Sequence, residues 1–257
     1  MNNNVLIDYT LHLADNALIL GQRNAEWCGH GPILEQDIAI TNISLDLIGQ
    51  ARSFYQYAAQ QINQLTNNTS SPVTEDSLAY LRTEREFKNC LLVEQPNVDW
   101  AQTVLRQFFF SGYQYFLYQQ LQQSKDETLA AIAEKSLKEV TYHLRWSGEW
   151  VVRLGDGTDE SRNRMLKAIE ELWSYTGELF MPVWYEKEMD IQLIEIKKKW
   201  DTKVNAVFTE ASLTPPSGVG GAVFMQTGGK TGVHTEHMGF ILSDLQYLQR
   251  TYPGSEW

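Results

Sequence analysis

The amino-acid sequence predicts an all-α protein, an antiparallel bundle of about eight helices in one domain. Two observations favour this fold class: long proline-free segments separate the 7 prolines, and strand-like alternation of apolar and polar residues is nearly absent. Because proline breaks helix interiors, long segments without it are typical of helical proteins. With 257 residues, of which 43% are hydrophobic, the chain is long enough to bury a core without disulfides.

The spacing of apolar residues defines the individual helices. In the second segment Ile40, Ile43, Leu47 and Ala51 recur at spacings of three and four, which predicts one buried helical stripe. The fourth segment repeats this spacing with an aromatic face around Phe108. The predicted helices, in chain order, span 7–27, 33–65, 74–94, 99–123, 126–154, 160–180, 190–211 and 235–251.

The connections carry residues that stop and start helices. Pro96 separates the third and fourth helices, and Gly155 followed by Thr158 supplies a stop and a cap between the fifth and sixth. Helices of about 20 to 30 residues joined by short loops predict antiparallel neighbours. The exception is 212–233, a Pro- and Gly-rich stretch that predicts a long irregular loop, and such loops are usually functional or mobile.

The charge balance excludes two classes of partner. The chain has 21 Lys and Arg against 32 Asp and Glu, a net charge of −11, so it would repel nucleic acid and anionic membrane surfaces. The amino end lacks a signal-peptide pattern, and no window approaches about 18 uninterrupted apolar residues. The sequence therefore predicts no membrane span and a cytoplasmic location.

The two cysteines, Cys28 and Cys90, are too far apart in sequence for a close metal-binding or redox pair. This excludes a disulfide framework and a zinc cluster. Both lie in helical, apolar-flanked segments, which predicts buried, inert thiols.

A helical bundle with many acidic residues and 5 histidines raises the question of a carboxylate-bridged di-iron centre. Such a centre takes a Glu from each of two helices and a Glu-x-x-His pair from each of the other two. No Glu stands three residues before any histidine, and the predicted helix 99–123 contains no Glu at all. The pattern therefore predicts no metal centre in this chain.

Glu-x-x-x-His does occur twice, as Glu26 with His30 and Glu139 with His143. Residues at this spacing share a helix face, but so do the members of ordinary ion pairs. An alternative therefore stays open: a self-sufficient di-iron oxygenase or oxidase with non-standard or vestigial ligands, drawn from Glu26, Asp46, Glu139 and His143.

The Gly-rich stretch offers a second set of candidates. Gly229-Lys230-Thr231 has part of a phosphate-loop pattern, but Phe224 stands where that pattern needs glycine, so no nucleotide site is predicted. Lys230 is either a contact for an anion or partner, or a solvated loop lysine. A free-standing helical binding module that uses this loop is a further alternative.

His234, Glu236 and His237 stand at the start of the last predicted helix. Residues at i and i+2 point to different faces of a helix, so the three side chains cannot easily converge on a metal ion. We expect capping or partner contacts from them instead.

Several stretches together carry a resemblance to a known family. They are QRNAEWCGH at 22–30, NISLDLIGQAR at 42–52, LLVEQPN at 91–97, EVTYHLR at 139–145, GGK at 228–230, HTEH at 234–237 and QYLQR at 246–250. With them the sequence resembles, nearly end to end, the C subunits of bacterial phenylacetyl-CoA 1,2-epoxidases. The stretch 181–199 departs from this family and aligns poorly with it.

The resemblance implies a ferritin-like bundle and a chain that is not catalytic by itself. In that family the di-iron site and the binding site for the CoA thioester belong to a related ferritin-like subunit, whereas the members that this sequence resembles have lost the metal ligands. The complex epoxidises the ring of phenylacetyl-CoA with dioxygen and electrons from NADPH, which a flavin and iron-sulfur reductase delivers. A small B subunit links the heterodimers.

The resemblance thus implies that this chain holds no cofactor and is the structural partner of the di-iron subunit in aerobic phenylacetate degradation. Heteromer interfaces are enriched in aromatic and Arg anchors. We expect the aromatic side chains of the second and fourth helices to divide between the core and a partner surface.

Overall fold

The computed structural model describes residues 3–67, 70–216 and 224–255. These residues form ten α-helices and no strand, so the predicted all-α, ferritin-like fold class is confirmed. The helices are α1 Asn3–Ala25, α2 Leu34–Thr66, α3 Glu75–Tyr80, α4 Trp100–Leu121, α5 Glu127–Gly155, α6 Asp159–Leu172, α7 Trp184–Glu188, α8 Leu193–Glu210, α9 Glu236–Leu245 and α10 Tyr247–Thr251. Across the described part of the chain, no helix has both the length and the apolar content needed to cross a membrane.

The prediction of one helix over 74–94 is wrong beyond the first turns. α3 begins at a capping box between Thr74 and Ser77 but ends at Tyr80, and two 3₁₀ turns, Glu84–Glu86 and Leu91–Glu94, follow it. The backbone N–H of Thr83 donates to the Glu86 carboxylate at 2.7 Å, which starts a separate turn. Tertiary hydrogen bonds from this segment, described below, replace the helical ones.

Two other predicted helices are shorter than expected. The helix predicted at 160–180 ends at Leu172 and continues as 3₁₀ turns at Trp173–Tyr175 and Gly177–Phe180. The helix predicted at 235–251 divides at Gln246, whose buried side-chain amide donates to the Arg82 carbonyl oxygen at 2.9 Å.

The described residues divide into two compact units. The first takes its residues from Met1–Glu94, Val183–Asp190 and Gly228–Trp257, and the second from Gln95–Pro182 and Ile191–Thr227. The expectation of a single domain stays a prediction.

In the first unit α1 and α2 form an antiparallel pair. Ser44 Oγ of α2 donates to the Gly21 carbonyl oxygen at 2.6 Å, and Tyr55 of the same helix reaches back to Asp15. The small size of Gly21 allows this close approach, because a Cβ there would lie 3.3 Å from side-chain atoms of Leu47 and Ile48.

The second unit has an aromatic core between α4 and α8. Trp200 of α8 packs on Phe109 of α4 with ring centroids 5.5 Å apart, and its Nε1–H donates to the Phe109 carbonyl oxygen at 2.8 Å. Gly112 leaves room for the indole, because a Cβ there would lie 3.1 Å from it. The predicted caps are confirmed at α6, where Thr158 accepts from the Ser161 N–H, and α5 ends at Gly155 as predicted.

The predicted irregular loop at 212–233 includes 217–223, which lie outside the described residues. Residues 213–216 and 224–228 have no regular structure, as predicted, whereas Gly229–Thr231 form a 3₁₀ turn. Gly228 and Gly232 flank this turn with φ of +139° and +82°, a conformation that favours glycine.

Candidate functional site

α1 carries a row of polar side chains that its unit buries. Buried polar and charged groups cost free energy unless hydrogen bonds and opposite charges compensate them. The partners of this row therefore define the polar interior of the first unit. The buried polar residues of α1 are Thr10, His12, Asp15, Asn16, Arg23 and Asn24.

The first cluster is centred on the Asp15 carboxylate, which is fully buried. It accepts hydrogen bonds from both terminal nitrogens of the Arg82 guanidinium, from the Tyr55 hydroxyl at 2.5 Å and from the Lys88 backbone N–H at 2.8 Å. Phe87 covers the guanidinium, with Arg82 Cζ 4.1 Å from the ring centroid. Burial alone would lower the pKa of Arg82, but the charges and hydrogen bonds of Asp15 and Tyr55 together outweigh it and raise that pKa. Asp15 and Arg82 therefore form a buried ion pair in which each charge has its partner.

The second cluster joins α1 to α7 and to the 3₁₀ turn of the Gly-rich stretch. Lys230 Nζ donates to both carboxylate oxygens of Glu186, at 2.9 and 3.1 Å, and both side chains are buried. Glu186 also accepts the Val183 N–H at 3.0 Å, which caps α7. The Tyr185 hydroxyl donates to the Lys230 carbonyl oxygen at 2.9 Å. The pair thus fixes two segments that lie 44 residues apart in sequence.

His12 adjoins this pair, with Nε2 3.8 Å from Glu186 Oε1. Its Nδ1 lies 2.7 Å from the Lys88 carbonyl oxygen, which can only accept, so Nδ1 carries the proton. Burial lowers the pKa of His12 to about 4, and the opposing effect of Glu186 is smaller. The imidazole is therefore neutral near pH 7.

His12 should make the protein less stable as the pH falls. Between about pH 6.5 and about pH 4 the unfolded chain takes up a proton at this position that the folded chain does not. The free energy of unfolding should therefore decrease by about 2 kcal/mol from this residue on going from pH 7 to pH 5. Urea unfolding of wild type and His12→Gln at both pH values measures the effect. An identical pH dependence in the two proteins would contradict it.

The third cluster lies around Glu94. Its Oε1 accepts the Thr235 N–H at 2.8 Å, and its Oε2 lies 3.1 Å from Nδ1 of His234. Nε2 of His234 lies 3.0 Å from the Phe87 carbonyl oxygen, so both ring nitrogens face acceptors. The guanidinium of Arg23 donates to the Glu94 backbone oxygen at 2.9 and 3.1 Å. Burial opposes the charge on His234, but the hydrogen bond and charge of Glu94, together with the Phe87 carbonyl oxygen and the charge of Glu84, outweigh it and raise the pKa of His234.

His234 should affect stability with the opposite sign. Because its pKa is higher in the folded chain, its stabilising effect is complete below about pH 6.5 and is lost as the pH rises through the raised pKa. Wild type should therefore lose unfolding free energy between about pH 6 and pH 8, and His234→Gln should lose less. Glu94→Gln removes the cause of the shift and should flatten the same part of the curve. Unfolding midpoints measured across this range test both variants.

The candidates predicted as vestigial or non-standard metal ligands lie in two different units. Glu26 forms an ion pair with Arg23 at 2.8 Å, and Asp46 is half-buried on α2. Glu139 and His143 lie one turn apart on α5, where His143 is buried. Within the described ranges no group of three or more His, Cys, Asp and Glu side chains could hold a metal ion. The described residues therefore do not fit a di-iron centre.

The other candidates, and the two cysteines, differ in how deeply they are buried. Lys230 is not a solvated loop lysine, because it is 2% exposed and its amine meets a carboxylate of its own chain. The buried ring of His234 bonds Glu94, whereas Glu236 is exposed and His237 half-buried in the first turn of α9. The prediction of two buried thiols is wrong for Cys28, which is exposed in the turn that follows α1.

Sequence reasoning missed five residues of the buried polar clusters, namely His12, Asp15, Arg82, Glu94 and Glu186. A signal was present for α1, because His12, Asp15 and Asn16 interrupt an apolar helix at spacings that share one face. Glu186 had no such signal. It lies in the stretch 181–199, where α7 is only five residues long.

The helical fold places the chain in the all-α, ferritin-like class of proteins. Buried ion pairs hold its first unit together. Residues 1–257 match the family described as "Phenylacetic acid catabolic protein", and the chain belongs to this family, as the resemblance of its sequence stretches predicted. It is 46% identical over 263 aligned residues to the C subunit of the 1,2-phenylacetyl-CoA epoxidase of Escherichia coli (strain K12). That alignment covers 99% of this chain and 100% of the relative.

Proposed function

We propose that this chain is a structural subunit of a multicomponent phenylacetyl-CoA 1,2-epoxidase. It pairs with and stabilises the di-iron catalytic subunit, which epoxidises the ring of phenylacetyl-CoA in aerobic phenylacetate degradation. The observation that carries the proposal is the end-to-end similarity to a protein that is named as the C subunit of this enzyme.

The charges inside the first unit support a role without catalysis. A di-iron centre needs four carboxylates and two histidines that are available to the metal. The buried carboxylates of the first unit are engaged by their own chain: Asp15 by Arg82, Glu186 by Lys230, and Glu94 by the His234 ring and the Thr235 N–H. Releasing one of them to a metal ion would leave a buried cation without its partner, which is strongly unfavourable.

The remaining components follow from the same proposal. A reductase that carries flavin and an iron-sulfur cluster supplies the catalytic subunit with electrons from NADPH, and a small B subunit links the heterodimers. None of these cofactors binds this chain. The complex acts in the cytoplasm, without nucleic acid or membrane partners.

Reconstitution tests the proposal. Purified chain supplied with ferrous iron, reductant, dioxygen and phenylacetyl-CoA should form no epoxide, and the catalytic subunit with its reductase should form epoxide only slowly or briefly. Adding this chain should restore sustained turnover. Epoxide formation by this chain alone would favour the self-sufficient oxygenase, and failure to bind the catalytic subunit would favour the free-standing binding module.

A further inference from the structure

α2 exposes an apolar stripe beside its buried face. Leu34 is 72% exposed, Ile38 52%, Leu45 61% and Ile48 40%, with the half-buried Thr41 between them. The buried face of the same helix, which includes Ile40, Ile43 and Leu47, packs against α1. α2 is therefore apolar on two faces, and the first unit covers only one of them.

The spacing of the residues in this stripe indicates that an α-helix would cover it. Positions 34, 38, 41, 45 and 48 follow each other at intervals of four, three, four and three. This is the heptad pattern by which one α-helix packs along another with its side chains interdigitated. The stripe extends over about 21 Å of helix, which matches about four turns of a partner helix.

A cavity of about 240 Å³ lies at the end of the stripe. Ile48 lines it, together with Tyr55 and the α3 residues Ala79 and Tyr80. A second concavity, of about 440 Å³, shares Asp76 and Tyr80 with the first. The apolar stripe therefore continues into pockets of the kind that accept anchor side chains at interfaces.

Charge at the edges of this surface indicates the chemistry of its partner. Between residues 29 and 51 the chain has no Lys or Arg, but it has Glu35, Asp37 and Asp46. Glu35 and Asp37 flank Leu34 and Ile38 on α2, at positions that form interhelical salt bridges in heptad packing, and Asp37 also accepts the Gly31 N–H at 2.9 Å.

The far end of the surface carries one net negative charge, because Arg52 offsets one of the two carboxylates of Glu75 and Asp76. Glu75 forms an ion pair with Arg52 at 3.5 Å, and Asp76 adds another acidic group to the cavity. A partner helix with basic edges would complement this surface, whereas a parallel second copy would repeat its acidic edge.

We propose that the α2 stripe, from Leu34 to Ile48, docks an amphipathic helix of the catalytic subunit, with an apolar seam and Lys or Arg at its edges. The proposal rests on the function proposed above and names the surface by which the two chains pair. The cavity beside Tyr80 takes an anchor side chain from the same partner.

Binding of purified catalytic subunit to variants of the full chain tests this surface. Leu45→Glu places a charge in the centre of the seam without touching the core, and should raise the Kd at least about 30-fold. Glu35→Lys should weaken binding less, and mainly at low salt. The matched control is Ile194→Glu, a 73% exposed apolar residue on α8, which should change the Kd less than about threefold.

Thermal unfolding and circular dichroism show whether each variant is folded. If Leu45→Glu is not folded, Leu45→Ala takes its place in the binding measurement. Equal binding by wild type and the seam variants would overturn the proposed surface and leave the proposed function standing. No binding by wild type would overturn both. If wild type alone forms a dimer that Leu45→Glu dissociates, the occupant is a second copy and the proposed partner is wrong.

Discussion

Replacing Asp15 by asparagine should lower the free energy of unfolding by about 3 to 5 kcal/mol. The substitution keeps the size of the side chain but removes the charge that compensates the Arg82 guanidinium, which is 8% exposed. It also weakens the acceptor for the Tyr55 hydroxyl and the Lys88 N–H. Because this one carboxylate bonds Arg82, Tyr55 and the Lys88 N–H together, urea unfolding should show a large fall in midpoint.

The control for this prediction is an ion pair at the surface. Glu160 pairs with Arg164 at 2.7 Å, but the two side chains are 71% and 56% exposed. Because water and salt screen such pairs, Glu160→Gln should cost less than about 1 kcal/mol. Similar losses in Asp15→Asn and Glu160→Gln would show that the buried cluster does not hold the first unit together.

Replacing Lys230 by methionine should have the second large effect. Methionine fills much of the same volume, but it leaves the fully buried Glu186 carboxylate without its cation, which should cost about 3 to 5 kcal/mol. α7 and the turn Gly229–Thr231 depend on this pair for their position, so both should become less protected in hydrogen exchange.

A double-mutant cycle separates the charge effect from the loss of packing. Glu186→Gln removes the charge but keeps an oxygen that can accept the Val183 N–H. In the Lys230→Met background this second substitution should restore about 1 to 3 kcal/mol, because no uncompensated charge then remains. Additive losses in the double variant would mean that Lys230 and Glu186 act independently.

The helices were predictable where the local pattern and the tertiary contacts agree. α2 buries residues at three-and-four spacing from Ile40 to Ala58, and Asp99, Asp126 and Thr158 mark N-termini because each accepts the N–H of the residue three positions further on. The prediction for the segment 74–94 failed because its local pattern is helical, whereas its backbone and side chains bond α1 and the residues that flank α9, namely His234, Thr235 and Gln246. Its Cys90 N–H, for example, donates to Asn16 of α1 at 2.9 Å.

The polar interior was predictable only in part. The Gly-rich stretch and Lys230 were identified as candidates from composition, but their anion lies 44 residues away in sequence, and no spacing rule connects residues at that distance. The exposed stripe on α2 was missed for a different reason. Leu34, Ile38, Leu45 and Ile48 have the same spacing and polarity as core residues, so only the burial of each side chain separates the two apolar faces.

Iron analysis after co-purification decides whether the chain is a structural partner or carries a metal centre itself. The isolated chain, the isolated catalytic subunit, and the complex of the two are each loaded with ferrous iron, desalted and analysed for iron per chain. The isolated chain should hold essentially no iron, and the complex should form a stable heteromer with about two iron atoms per catalytic subunit. Two iron atoms bound to this chain alone, or a chain that stays monomeric beside the catalytic subunit, would contradict the proposed role.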